Sequence, residues 1–425
     1  MKKFRFQFLA AATLLALAAC SSTDESANKQ TIAEPNPVNF GTYVSQSVTR
    51  AGAIGDITNT TQLKDAQGFG VFAYYTDNVE YSGTTIPNFM YNQQVTSADG
   101  TTWTYTPVKY WPNEYGSTAT SEGTDMLSFF AYAPYVDVST TTGQVTGDKT
   151  SGITQTGRNS TSGDPTVKYI VTGETAGVDL LWGVNASNGL PWLNQTRTAG
   201  ATGDDKITFT FRHALARLHP TIKTSIDIDA KTKVYVRSIT ITGFASKGTL
   251  NLNNIEANKP LWYNYDGSDL TFDGLIINDG RKDGREGSTE QANEKNKWLN
   301  LNLVQSTAWG DAGAKPGVTS AAANLLKNAS IYVIPSGGTE AVDVTIIYDV
   351  ETEDANLSTN LSDGTTKGSS VENRITKTVN FGTPSGFEAG KAYTLNITLG
   401  MKDVKVDAAV VDWTAVADTN TNLPE

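Results

Sequence analysis

The chain of 425 residues contains one cysteine and two histidines, and that scarcity removes whole classes of chemistry. A single thiol cannot make an intramolecular disulfide, so the fold must be held by packing alone. No H-E-x-x-H, G-x-S-x-G, P-loop or dinucleotide fingerprint is present, and the sequence points to no metal, no cofactor and no catalytic residue. Basic residues are outnumbered, 33 against 44 acidic, for a net charge of −11. That balance argues against nucleic acid or an anionic lipid surface as a direct partner. Charged residues make up only 18% of the chain, while Thr, Ser, Asn and Gly abound, as in extracellular β proteins. No short-period internal repeat occurs. The one sustained apolar run is at the start, and it is too short to cross a membrane as a helix.

That start, "MKKFRFQFLAAATLLALAAC", has Lys2, Lys3 and Arg5, then the apolar run, then Leu17-Ala18-Ala19-Cys20. It has the layout of a signal peptide, residues 1–19, ending in a lipobox. Cys20 is then the lipidation site, which accounts for a lone thiol in an oxidising envelope. Residues 20–36 are polar, with Pro35, and form a tether to the folded part.

The rest of the chain is rich in strand signals. Val342, Val344, Ile346, Tyr348 and Val350 alternate with polar residues, as do Tyr393, Leu395, Ile397 and Leu399, and Ile207, Phe209 and Phe211. "FGVFAYY" and "MLSFFAYAPY" are apolar on both faces and suit central strands. Asp99-Gly100 marks a hairpin. The expected class is all-β, with sandwich architecture. One short helix is expected at 320–329, "SAAANLLKNA". Residues 137–166 and 278–297 look like long surface loops. At ~100–200 residues per domain two domains are expected, 37–208 and 209–425, with the boundary in the stretch where "KITFTFRHALARLHPTIKTS" opens a new strand series.

The candidates for chemistry are few. His213 falls in phase with Phe209 and Phe211 on an apolar face, which suits a structural histidine. The three aspartates of "DGSDLTFDG", 266–274, lack calcium-loop spacing. Trp111, Trp182 and Trp413 sit in strand-like contexts and suit a core. Trp192 and Trp309 sit in turn-like ones, and with the tyrosines of "WYNYDG" they are the candidate platforms for a sugar.

"NFGTYVSQSVTRAG", residues 39–52, is the most informative stretch. From Val38 the even positions carry Val38, Phe40, Val44 and Val48, and the odd positions are mainly polar. A half-buried strand opens the folded part and ends at Arg50-Ala51. Residues 51–65 look loose enough to admit a protease. At the far end Val404, Val406, Ala408 and Val410 alternate. The phase then shifts to Val411 and Trp413, as across a bulge.

Taken in order, the lipobox, "NPVNFGTYVSQSVTRA", "FGVFAYYT", "MLSFFAYAPY", "DLLWG", "ITFTFRHALARLHPTIK", "IYVIPSGG" and "FEAGKAYTLNITLGMKDVKVDAAVVDWTA" resemble the fimbrillin family. These are the Mfa-like subunits of type V pili in Bacteroides-type bacteria. Asp24-Glu25 after the lipobox is similar to the acidic export tag of surface lipoproteins there. The resemblance implies two transthyretin-like β-sandwich domains with Greek-key-type topology. It implies a surface lipoprotein precursor on the outer membrane, cut after its first strand by an arginine-directed protease, here at Arg50-Ala51. It further implies a fimbrium built with other fimbrial subunits, each groove filled by a strand of a neighbour, with adhesion to a host or bacterial surface ligand as the service performed. Residues 37–50 are then the removable strand, and 402–416, with Val404, Val406, Val410 and Trp413, the candidate donor. A stalk and a tip role both stay open. The alternative is a monomeric glycan-binding lipoprotein of the outer membrane.

Overall fold

A computed structural model describes residues 36–44, 57–112, 124–147, 152–171, 178–196, 206–224, 231–242, 245, 247–266, 299–300, 323–324, 331–335, 341–361, 364–380, 387–399 and 404–412. Among the described residues it is almost entirely β, with one helix.

The largest sheet has eight strands. They are β1 (Asn39–Val44), β2 (Phe69–Tyr75), β3 (Met90–Ser97), β4 (Trp103–Thr104), β5 (Leu127–Ala133), β8 (Leu181–Asn185), β9 (Trp192–Gln195) and β10 (Lys206–His213). Their order is β1-β10-β8-β5-β2-β3-β4, with β9 on β5. The doubly apolar segments β2 and β5 lie side by side in the middle, as expected. Phe72, Tyr74, Phe130 and Tyr132 fill a core on one face, and Phe69, Val71, Phe129 and Ala131 fill a core on the other. A strand buried on both sides has no need of alternation. Asp99-Gly100 does sit in the β3–β4 connection. Asp99 accepts from the backbone of Thr101 and Thr102 at 2.8 and 2.7 Å, and Gly100 takes φ +78°. Those bonds hold the Asp99 carboxyl well below the usual carboxylate range.

A four-stranded sheet, β14-β13-β7-β6, contains β6 (Ile153–Thr156), β7 (Thr166–Ile170), β13 (Lys247–Asn251) and β14 (Leu261–Asp266). Its Ile153, Val167, Tyr169 and Leu250 close the first of the two cores. The expected loop 137–166 therefore holds a strand, and Val145 and Ile153 within it are buried.

Two further sheets are built from the C-terminal half. One is β16-β11-β20-β21, made of β11 (Ala216–Thr224), β16 (Ala323–Asn324), β20 (Lys391–Leu399) and β21 (Val404–Asp412), with β17 (Ile331–Val333) also on β11. The other is β15-β12-β18-β19, made of β12 (Thr232–Thr242), β15 (Leu299–Asn300), β18 (Ala341–Glu353) and β19 (Gly368–Asn380). The alternating residues Val342, Val344, Ile346, Leu395 and Ile397 are all buried.

Three expectations need correction. The boundary at 208/209 falls inside β10, and β13, which carries β14 on its other side, pairs with β7. The strands of the C-terminal sheets open just after it, with β11 at Ala216. Of the helix expected at 320–329, the described pair Ala323–Asn324 is strand on β11, a non-local ladder overriding local propensity. The helix that does form is α1 (Thr60–Asp65). It is capped by the Asn59 side chain, which accepts from Gln62 N at 2.9 Å. Finally, β20 and β21 pair without a break from Leu399↔Val404 to Lys391↔Asp412. The bulge expected after Val410 is absent up to Asp412.

Candidate functional site

The opening strand was expected to be half-buried, and the described part is. Val38, Phe40 and Val44 are 0%, 3% and 5% exposed, while Asn39 and Tyr43 face out. Its setting is less ordinary. β1 runs parallel to β10, from Asn39↔Lys206 to Val44↔Phe211. Just ahead of it the chain is bonded on its other side: Val38 N–H donates to Lys109 O, and Trp111 N–H to Asn36 O, both at 2.9 Å. The Tyr105 hydroxyl donates to Val38 O at 2.8 Å. Burial raises the Tyr105 phenol above its ordinary value, opposed by its backbone contact at Lys109, so it stays a donor.

The inward face of β1 meets rings. Phe40 lies 5.3 Å from Tyr105, 6.0 Å from Phe129, 6.1 Å from Phe209 and 6.4 Å from Phe69. The Phe209 pair is stacked, with the rings 19° apart. Gly41 allows a close approach to β10, because a Cβ there would meet Thr208 Oγ1 at 2.9 Å. One position fits poorly. Thr42 is turned inward and buried, and its hydroxyl has no hydrogen-bond partner, which costs about 1–3 kcal/mol.

Beyond β1, residues 45–56 lie outside the described residues, and with them Val48, Arg50 and Ala51. The chain returns at Ile57, which is buried and donates its N–H to Asp179 Oδ2 at 3.3 Å. The same oxygen sits 2.7 Å from His213 Nδ1. His213 is thus a buried structural partner of Asp179 at the end of β10. The part of 51–65 that is described is not loose: Ile57 and Leu63 are core residues and 60–65 is α1. Asn59 with Gln62 three positions on was the sequence signal for that helix.

At the other end, among the described residues β21 is bonded to β20 alone. Val410 is 37% exposed and Val406 half-buried. The side chain of Val404, and Trp413 altogether, lie outside the described residues, as does Cys20. The Trp assignments divide the same way. Trp111 and Trp182 are buried, Trp192 is half-buried with its Nε1–H on Thr208 O at 3.0 Å, and Trp309 is outside. Residues 278–297 and most of 266–274 are outside too. Among the described residues no group of three acidic, histidine or cysteine side chains is placed to hold a metal.

The model of the fimbrillin-like family matches residues 49–413. The chain belongs to that family. Over 424 residues it is 26% identical to the fimbrium subunit Fim1C of Phocaeicola vulgatus, covering 96% of each chain. A crystal structure of a fimbrial protein from Bacteroides vulgatus superposes with a TM-score of 0.57 at 21% identity, over 89% of this chain and 99% of that one. That likeness is one of fold. The family match begins at Thr49, after the strand whose packing is described above.

Proposed function

We propose that this fimbrillin-like protein is a structural subunit, stalk or tip, of a surface fimbrium, and that β1 is a temporary occupant of its own assembly groove. The precursor travels as a lipoprotein anchored through Cys20 to the outer membrane. An arginine-directed protease cuts at Arg50-Ala51, β1 leaves, and a strand of another subunit takes its place beside β10. The two-sandwich organisation with Greek-key-type topology belongs to the same reading.

The observation that carries it is the way β1 is held. It is a short parallel strand, filled by side chains that the rest of the sheet needs. Burial of Val38, Phe40 and Val44 contributes roughly 5–9 kcal/mol gross. Its loss would open both an apolar trough lined by Phe69, Phe129 and Phe209 and the unpaired edge of β10. Such an edge is a template for strand addition. The intact chain is self-capped, since a tethered strand outcompetes any free one.

β21 is the candidate donor. Its Val404-x-Val406-x-Ala408-x-Val410 repeats the spacing of Val38-x-Phe40-x-Thr42-x-Val44. Ala408 then stands where Thr42 buries an unpartnered hydroxyl, so the incoming strand relieves a cost that the outgoing one carries. Arg50→Ala tests the reading. The substituted protein should fold normally and fail to form SDS-resistant ladders on cells. Ladders of wild-type abundance would show that cutting at this site is not the trigger.

A further inference from the structure

A second feature lies away from β1. A cleft of about 520 Å³ opens between the β13–β14 hairpin and the segment that leads into β20. Its floor is apolar, built from Leu261, Trp262, Pro335 and Phe387. Trp262 is fixed there by its Nε1–H, which donates to Ala214 O at 2.8 Å.

Tyr265 forms part of the wall. Its hydroxyl donates toward two backbone carbonyls, Pro335 O at 3.0 Å and Trp262 O at 3.3 Å. The side chain is therefore immobilised at its far end while the residue remains 40% exposed. A ring held rigid at its hydroxyl end keeps part of its surface open to the cleft. That arrangement suits a flat ligand, because no side-chain freedom is lost on binding. Two carboxylates, Glu256 and Glu388, line the same cleft, and the Lys259 ammonium reaches Glu256 at 2.8 Å.

We propose that this cleft binds a neutral pyranose unit of a glycan. The C–H face of a sugar ring is weakly polarised and packs on an aromatic face. Its vicinal hydroxyls are donors that suit carboxylate acceptors, and an ammonium beside them supplies the complementary donor. The volume holds one or two sugar rings. The sign of the rim selects among sugars: the two carboxylates Glu256 and Glu388 outnumber the Lys259 ammonium in the lining, and on a chain of net charge −11 that excess disfavours sialylated, sulfated or uronic residues. A peptide of similar size would also contact the apolar floor, but it would have no need of the two carboxylates. The proposal is independent of how subunits polymerise. It assigns a ligand class to a surface that the assembly groove does not use.

The test is saturation-transfer NMR on the full chain in detergent, with glucose, galactose, mannose, their N-acetylated amines and N-acetylneuraminic acid, each at about 10 mM, as befits millimolar affinity. At least one neutral sugar should receive saturation, and N-acetylneuraminic acid none. Tyr265→Ala should abolish the signal. Glu256→Gln with Glu388→Gln should weaken binding at least about fivefold with an unchanged thermal melt. Because those two side chains lie on the rim, this pair keeps the test valid if Tyr265→Ala fails to fold. No saturation of any sugar overturns the proposal. So does binding that the paired glutamine variant leaves intact, or a preference for the anionic sugar. Saturation of an apolar peptide alone would assign the cleft to protein contact instead.

Discussion

Phe40→Ala is the substitution whose outcome follows most directly from the geometry of β1. The ring is 3% exposed and sits among Phe69, Tyr105, Phe129 and Phe209 at 5.3–6.4 Å. Truncating a buried Phe of this kind costs about 3–5 kcal/mol. If β1 opens as a unit, without the rest of the sheet, that cost falls on the local opening equilibrium. At 1.4 kcal/mol per tenfold, the amides of Phe40–Val44 should then exchange roughly two to three and a half orders of magnitude faster. The amides of β2 and β5 should be protected nearly as before. Hydrogen–deuterium exchange of the intact precursor, read by peptide mass, makes the comparison directly. Tyr43→Ala is the control: Tyr43 lies on the outward face, 66% exposed, and its loss should change little. If Phe40→Ala accelerates β1, β2 and β5 by the same factor, the strand opens only with global unfolding. β1 would then not be a separable occupant.

Three other expectations can be checked with the same protein. Cys20→Ala should release the precursor from the membrane fraction, and undiminished retention would remove the lipid anchor from the account. His213→Gln keeps a donor for Asp179, so it should cost about 1–2 kcal/mol in urea unfolding. A much larger loss would mean that the 2.7 Å contact is worth more than an ordinary buried hydrogen bond. Alkaline pH should destabilise the fold. Burial raises the phenols of Tyr74, Tyr105, Tyr132 and Tyr169 above their ordinary value of 10.0. Above pH ~10 the unfolded chain therefore releases protons that the folded chain keeps, and stability falls with rising pH. The urea midpoint should hold from pH 8 to about 10 and drop beyond it, whereas a midpoint that rises there would contradict the assignment.

Much of the fold was legible because its signals are local. Ile207-Phe209-Phe211 and Val342-Val344-Ile346 alternate because the side chains between them are partly or fully exposed, and "FGVFAYY" does not alternate because neither of its faces is; the alternation read on to Val350 breaks at Asp349, which is buried while Val350 is only half-buried. The parallel pairing of β1 with β10 was not legible, since it joins residues more than 160 positions apart and neither strand encodes its partner. The same holds for Asp179, which looks like any loop aspartate until β10 brings His213 to it. α1 escaped notice because a six-residue helix has too few turns to show periodicity, although its cap residues were in view. The 323–324 strand shows the reverse case: an Ala- and Leu-rich segment favours helix in isolation, and pairing with β11 decides otherwise. Tyr265 was noticed as an aromatic in a polar context. Its immobilisation by two carbonyls depends on Pro335, 70 positions away, and could not be read from the sequence.

The central claim is that β1 is absent from the assembled form. The direct measurement is the N-terminal residue of the SDS-resistant polymer recovered from the cell surface, by mass spectrometry of its first tryptic-independent peptide. The account predicts a chain that begins at Ala51, with no peptide from residues 37–50 and no lipid. A polymer whose subunits still begin at lipidated Cys20, with residues 38–44 intact, would contradict it.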